Sequence, residues 1–191
     1  GASDEVKQLY LDVIEGLEKL GREDDPVETY ALSGLSRVST DLGEFVAAED
    51  YARRGLESAT RIFGEEHPTT VGTLAMLGNA IRFDGRFEEA LPIFRTVQEQ
   101  LRAQLGDQHQ STMAAVHNFA GTLARVGNSE EAERIHLENL DNRRRAMGDQ
   151  SLPVANSLGG LGIVYANTDR WGKAIGSYTE ALAILRDTVG D

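Results

Sequence analysis

Residues 63–104 read FGEEHPTTVGTLAMLGNAIRFDGRFEEALPIFRTVQEQLRAQ, and most of the chain is this stretch repeated with variation. Shifted by 42 residues it returns as 105–146, and shifted again as 147–188. Gly64, Gly106, Gly148 and Gly190 keep that spacing, as do Ala48, Ala90, Ala132 and Ala174. Pro26 with Pro68, Gly43 with Gly85 and Phe45 with Phe87 carry the register one repeat upstream. A fixed period in this range means a stacked array, in which each unit buries its apolar face only against its neighbours.

Small and apolar residues inside the repeat say which array. Leu74, Leu77, Gly78, Ile81, Ala90, Phe94 and Val97 follow the spacing of a tetratricopeptide repeat. The last repeat fits best, with Leu158, Leu161, Gly162, Tyr165, Ala174, Tyr178 and Ala181. The third gives Val116, Phe119, Ala120, Leu123, Ala132, His136 and Asn139; the first, with Leu32, Leu35, Ser36, Ser39, Ala48, Ala52 and Gly55, is weakest. The period is longer than the ~34 residues of the short form, and the excess lies in the tail of the second helix and the linker FGEEHP. That linker, 63–68, and the helix opening GRFEEA, 85–90, resemble the kinesin-light-chain type of tetratricopeptide repeat.

The resemblance implies an all-α, right-handed superhelical solenoid of antiparallel helix pairs, with about nine helices. The reading takes 1–191 as one domain: a second helix at 3–20 whose first helix is missing, repeats at 21–62, 63–104, 105–146 and 147–188, and the start of another linker at 189–191. We therefore expect a fragment of a longer protein, with Gly1-Ala2 a cloning remnant. First helices are expected near 26–41, 68–84, 110–126 and 152–168, and second helices near 44–62, 86–104, 129–146 and 171–188. Thr69, Thr70, Ser111 and Ser151 are the expected caps. Gly43, Gly85, Gly127 and Asp169 are the expected left-handed residues of the inner turns. Pro92, near the start of a second helix, is expected to kink it. Gly78, Ala120 and Gly162 let paired helices approach. Truncating Phe94 or Phe119 to alanine should cost ~3–5 kcal/mol.

Composition excludes several classes of function. The formal net charge of −12 opposes nucleic acid, whose phosphates demand a basic face, and opposes an anionic membrane surface. The absence of cysteine removes disulfide and thiol chemistry and fits a reducing, cytoplasmic compartment. No apolar run approaches the ~20 residues of a membrane span. His109 and His117 have no cysteine or H-E-x-x-H partner, so no metal and no cofactor is expected. No nucleophile or paired-carboxylate motif stands out from the repeat, so the reading is not an enzyme. Ser157 to Gly162 is glycine-rich but lies mid-helix by register, where a phosphate loop cannot form.

The charges are unevenly placed. The sixteen-residue windows of the four first helices hold only Glu28, Arg37, Asp41, Arg82 and Arg125, for a net +1; the remaining 127 residues carry 45 charges and a net −13. The resemblance implies that first helices line a concave groove, which is then a weakly polar lane in an acidic shell. Its expected peptide-binding residues are Arg37, Asn79, Arg82, Phe83, His117, Asn118, Arg125 and Asn156, with Tyr30, Ser33, Met76 and Asn167 beside them. Asparagines can pair with an extended backbone, arginines can clamp a carboxylate, and the apolar members can seat an anchor. The partner is thus a protein or peptide with an acidic residue and a large apolar one. The competing reading is that the arginines only balance nearby acids. Of the asparagine that the kinesin-light-chain type repeats before the conserved apolar residue, only Asn118 is present; Gly34, Met76 and Gly160 depart. Gly159 and Gly160 are expected to leave the groove wall bare for a close backbone approach. His136 is expected to be packed and hydrogen-bonded, and the run 143–145 to complement a helix C-terminus. The alternative function is a regulatory or self-assembly module of a larger signalling protein, associating through its severed ends.

Overall fold

The computed structural model describes residues 2–22 and 25–189, which form nine α-helices and no strand. They are α1 (Ala2–Lys19), α2 (Pro26–Asp41), α3 (Phe45–Phe63), α4 (Pro68–Phe83), α5 (Phe87–Leu105), α6 (Gln110–Arg125), α7 (Ser129–Met147), α8 (Leu152–Ala166) and α9 (Trp171–Val189). The expected helices are present, with ends shifted by no more than two residues. Gly190 and Asp191, expected to open a further linker, lie outside the described residues.

The chain divides into two compact units, Gly1–Gln100 and Leu101–Asp191, with the boundary inside α5. In the first unit Ile14 of α1 joins Ala31, Leu32 and Leu35 of α2 in one buried cluster, with Tyr10, Leu11 and Tyr51 against it. In the second, Leu140 of α7 meets Val154, Leu158 and Leu161 of α8 and Ala174, Ala181 and Ile184 of α9.

The inner turns use the left-handed conformation where the sequence places it: φ is 77° at Gly43, 86° at Gly85, 88° at Gly127 and 56° at Asp169. Of the expected caps only Ser151 stands at an N-cap position, and its side chain makes no capping bond. The N-cap positions of α2, α4, α6 and α8 are Asp25, His67, His109 and Ser151, one repeat apart. Nδ1 of His67 accepts from the Thr69 N–H and Nδ1 of His109 from the Ser111 N–H, each at 3.2 Å. Thr69 and Ser111 are therefore capped, not capping. Thr70 instead donates to the Gly64 carbonyl at 2.7 Å, and Ser151 to the Gly148 carbonyl at 3.1 Å. A neutral imidazole has one acceptor nitrogen, which is what an exposed N–H of the first turn needs. His67 also stacks on Phe63, with centroids 4.8 Å apart.

Size complementarity follows the repeat. Tyr10, Phe94, His136 and Tyr178 occupy one register position of the second helix, and each faces a glycine. A Cβ on Gly78 would stand 3.1 Å from Phe94 Cε1, and one on Gly162 would stand 2.5 Å from Tyr178 Cε1, across the same helix pair. Across to the following pair, a Cβ on Gly34 would enter the Tyr10 ring, and one on Gly160 would stand 2.5 Å from His136 Cε1. Where the second helix carries the small Ala52, the first helix one step on carries Met76 rather than glycine.

An ion pair also recurs. Lys7 pairs with Glu44, Glu49 with Arg86, and Glu133 with Arg170, always 37 residues apart. The first pair has its polarity reversed: the cation sits on the second helix and the carboxylate after the inner turn.

Candidate functional site

The expected site residues fall in both units, and each set stands on a wall of two neighbouring first helices. In the first unit α2 and α4 touch through the Ser33 and Thr73 hydroxyls, 3.4 Å apart. Spacings of three, four and seven residues put Asn79, Arg82 and Phe83 on one face of α4, with the small or half-buried Gly72, Ala75 and Met76 below them. Tyr30 and Arg37 are exposed one repeat earlier on α2.

Arg82 is the electrostatic centre of this wall. Its Nη2 donates to Asn79 Oδ1 at 3.2 Å. Its guanidinium carbon lies 4.4 Å from the Phe83 ring centroid and 5.9 Å from that of Phe94. Burial pushes the guanidinium below its ordinary pKa, because a cation withdrawn from water is costlier to charge. No carboxylate among the described residues forms an ion pair with it, so the reading in which Arg82 balances a nearby acid does not describe this residue. Phe83 stays 51% exposed although it stacks on Phe45, centroids 6.5 Å apart and planes at 14°. The aromatic shelf is thus Phe45 with Phe83. Phe45 is legible in the sequence only as a register marker, because its partner is distant in the chain and carries no spacing signal.

The second unit has a different wall. Asn156 and Ile163 are exposed along α8, Asn167 is exposed at its C-cap, and Arg125 is exposed on α6. His117 and Asn118 are half-buried, and the His117 ring stands edge-on to His136 with centroids 5.3 Å apart. His136 is fully buried, yet neither ring nitrogen has a hydrogen-bond partner among the described residues. It is packed as expected but not hydrogen-bonded. Burial pushes its pKa down to about 3, with His117 and Arg143 adding to the effect. Gly160 also departs from expectation: the His136 ring fills the space a side chain would take, so this glycine serves helix packing, not a bare groove wall. Gly159 does face open space.

Arg143 is a buried tie rather than a cation facing a helix dipole. Its Nη1 donates to the Pro153 carbonyl at 2.6 Å and to Ser157 Oγ at 3.0 Å, and its Nη2 to the Met113 carbonyl at 2.9 Å. Asn139 donates to the same Met113 carbonyl at 2.9 Å. One guanidinium on α7 thereby fixes α6 and α8, using the planar fork that lysine lacks. Burial lowers its pKa to about 10, which leaves it charged at neutral pH.

Among the described residues no helix is long and apolar enough to cross a membrane, and no group of three or more His, Asp or Glu is placed to hold a metal ion.

A family model described as tetratricopeptide repeat matches residues 27–103, 70–134 and 111–187 in overlapping windows. The chain belongs to the tetratricopeptide repeat family. No curated protein matches it significantly. Among solved structures it is similar to a Podosopora anserina protein described as kinesin light chain with nearly identical TPR-like repeats: 18% identity, 99% of this chain and 89% of that one, TM-score 0.82. It is similar to BtubC (BKLC) from P. vanneervenii, with 20% identity over 98% of this chain and 75% of that one, TM-score 0.78. It is also similar to YrrB, described as a TPR protein with an unusual peptide-binding site, with 19% identity over 98% of this chain and 82% of that one, TM-score 0.60. At these identities the likeness shows the fold: an all-α tetratricopeptide repeat array of the kinesin-light-chain-like kind. The glycines that stand at the family's asparagine position are explained by packing, since the Tyr10 and His136 rings occupy the space next to Gly34 and Gly160.

Proposed function

We propose that this tetratricopeptide repeat chain is a protein-interaction module, and that the first-helix wall of its first unit takes a peptide carrying an acidic residue next to a large apolar one. The observation that carries this reading is Arg82: a half-buried cation with no carboxylate partner among the described residues, oriented by Asn79 and flanked by the half-exposed Phe83. A ligand carboxylate supplies the missing charge in a partly desolvated place, where a charge-assisted hydrogen bond is strongest. The ligand's apolar side chain lies on the Phe83–Phe45 shelf, and Arg37 and Tyr30 extend the wall. In the second unit His117, Asn118, Arg125 and Asn156, with Ile163 among them, offer backbone-pairing amides and a further cation. YrrB, of the same family and fold, is described as having a peptide-binding site, which favours peptide over other ligands. No catalytic step belongs to this reading.

The test is a displayed library of acidic, aromatic-anchored peptides, with hits measured by fluorescence anisotropy against the parent chain and against Arg82→Glu, Phe83→Ala and Asn118→Ala. Charge reversal at Arg82 should weaken hits at least about tenfold while circular dichroism stays unchanged. Equal binding by Arg82→Glu and the parent sinks the proposal.

A further inference from the structure

The shelf formed by Phe45 and Phe83 continues past the wall. Phe45 also lines an open cleft of about 750 Å³ at the inner-turn edge of the first unit, with Val46 and Ala47 beside it and Lys7, Glu44, Asp50 and Asp84 around it. One cation thus stands among three carboxylates. Two of the three are engaged: Glu44 with Lys7, and Asp84 with Arg86 at 3.0 Å. Asp50 is exposed and forms no ion pair or hydrogen bond among the described residues. The apolar pair is exceptional in the repeat. Where α3 has Val46 and Ala47, α1 has Asp4 and Glu5, α5 has Glu88 and Glu89, and α7 has Glu130 and Glu131, acids that suit the positive end of a helix. α3 has no acid in its first turn, and Val46 stands 79% exposed. Neither helix propensity nor core packing calls for valine there.

We propose, resting on the first-unit wall as the peptide's seat, that this cleft takes a basic side chain of the same peptide whose acidic residue meets Arg82. Val46 and Asp50 lie one helical turn apart on one face of α3, about 6 Å along the axis. A lysine or arginine has that reach: its methylenes cover Val46 and Ala47 while its charged head meets Asp50. A ligand carboxylate there would face Asp50 and Asp84. A purely apolar side chain would strip water from Asp50 and replace it with nothing. Arg82 therefore selects an acid, Phe83 with Phe45 an apolar residue, and Asp50 with Val46 a base, in that order along the ligand. The ligand is held in one orientation, since turning it end for end sets its base against Arg82 and its acid against Asp50.

The probe is a fluorescein-labelled set of alanine-based nonapeptides with a fixed Asp-Phe pair, in which a single lysine is walked through the other positions and then replaced by glutamate. Binding to the whole chain is followed by anisotropy, beside Asp50→Asn, Val46→Ala and Arg82→Glu, each checked by circular dichroism. At one spacing lysine should bind about fivefold or more tighter than alanine, and added salt should shrink the gain. Asp50→Asn should cut that gain below about twofold, and Val46→Ala should lower it, while the peptide without lysine binds both variants as it binds the parent chain. Arg82→Glu should weaken every peptide, which reports on the wall by itself. Lysine no better than alanine at any spacing, glutamate equal to lysine, or a lysine gain that survives Asp50→Asn overturns the cleft, and the wall still stands if Arg82→Glu weakens the alanine peptide. A chain that takes none of the peptides overturns both. A dimer in sedimentation that Asp50→Asn dissolves gives the cleft to a second copy and overturns the proposal too.

Discussion

Gly160 of α8 and His136 of α7 occupy one space: a Cβ on the glycine would stand 2.5 Å from the ring's Cε1. The adjacent Gly159 meets nothing within 4 Å. Two glycines side by side in one helix therefore answer to opposite physics, and substitution separates them. Gly160→Ala should destabilise the second unit by about 1–3 kcal/mol, the overpacking outweighing the gain in helix propensity. Gly159→Ala should stabilise it by up to about 1 kcal/mol. Urea unfolding of both variants checks the pair, and a Gly160→Ala protein as stable as Gly159→Ala would refute the packing account.

His136→Phe should make the second unit more stable and less sensitive to acid. The wild-type ring buries two nitrogens without partners, and replacing them with carbon should gain about 1–3 kcal/mol. An unfolded histidine takes its proton near pH 6.5, whereas folded His136 takes none until about pH 3. Between those values the unfolded state holds the extra proton. Stability is then full above about pH 6.5 and falls as the pH is lowered through the window. Thermal melts at pH 7 and pH 4.5 should converge in His136→Phe relative to the parent. An unchanged difference between the two pH values would contradict the assignment.

Arg143→Lys keeps the charge and loses the fork. Lysine cannot reach the Met113 and Pro153 carbonyls in one planar arrangement. A loss of about 2 kcal/mol is expected, with faster hydrogen exchange in 110–125 and 152–166. Exchange that accelerates only within 129–147 would show that Arg143 does not bridge its neighbours.

Glu133 bonds Arg170 at 2.6 Å and lies near Lys173 at 3.8 Å. Burial alone would raise the Glu133 carboxyl, but its Arg170 partner outweighs that and holds it below the usual range. Both side chains are partly open to water, so the pair is worth about 0.5–1 kcal/mol. Glu133→Arg should lose at least that, and the double variant Glu133→Arg/Arg170→Glu should recover most of it, since Lys7–Glu44 already uses the reversed polarity. Additive losses in the double-mutant cycle would count against a direct pair.

Much of the fold was legible because a repeat states its own register several times. Gly43, Gly85 and Gly127 mark the inner turns, and the exceptional Asp169 adopts the same conformation because its short polar side chain tolerates it. Ser151 stands at the N-cap position expected of it, but Thr69, Thr70 and Ser111 were misread as caps because capping preference names Ser and Thr, whereas the imidazoles of His67 and His109 serve here. For the site, face assignment by spacing put Asn79, Arg82 and Phe83 together, since three residues on one helix face need no tertiary information. The Phe45–Phe83 shelf, the unbonded nitrogens of His136 and the reach of Arg143 across two helices were not legible. Each depends on side-chain direction between segments far apart in sequence, which periodicity does not encode.

The inverted Lys7–Glu44 pair has a consequence for how a self-similar chain finds its proper neighbours. If α1 slipped by one repeat into the place of α3, Lys7 would confront Arg86; if α3 slipped the other way, Glu49 would confront Glu44. Either mis-threaded hairpin sets like charges against each other, so a single reversed rung helps a repetitive polypeptide tell its first step from its second.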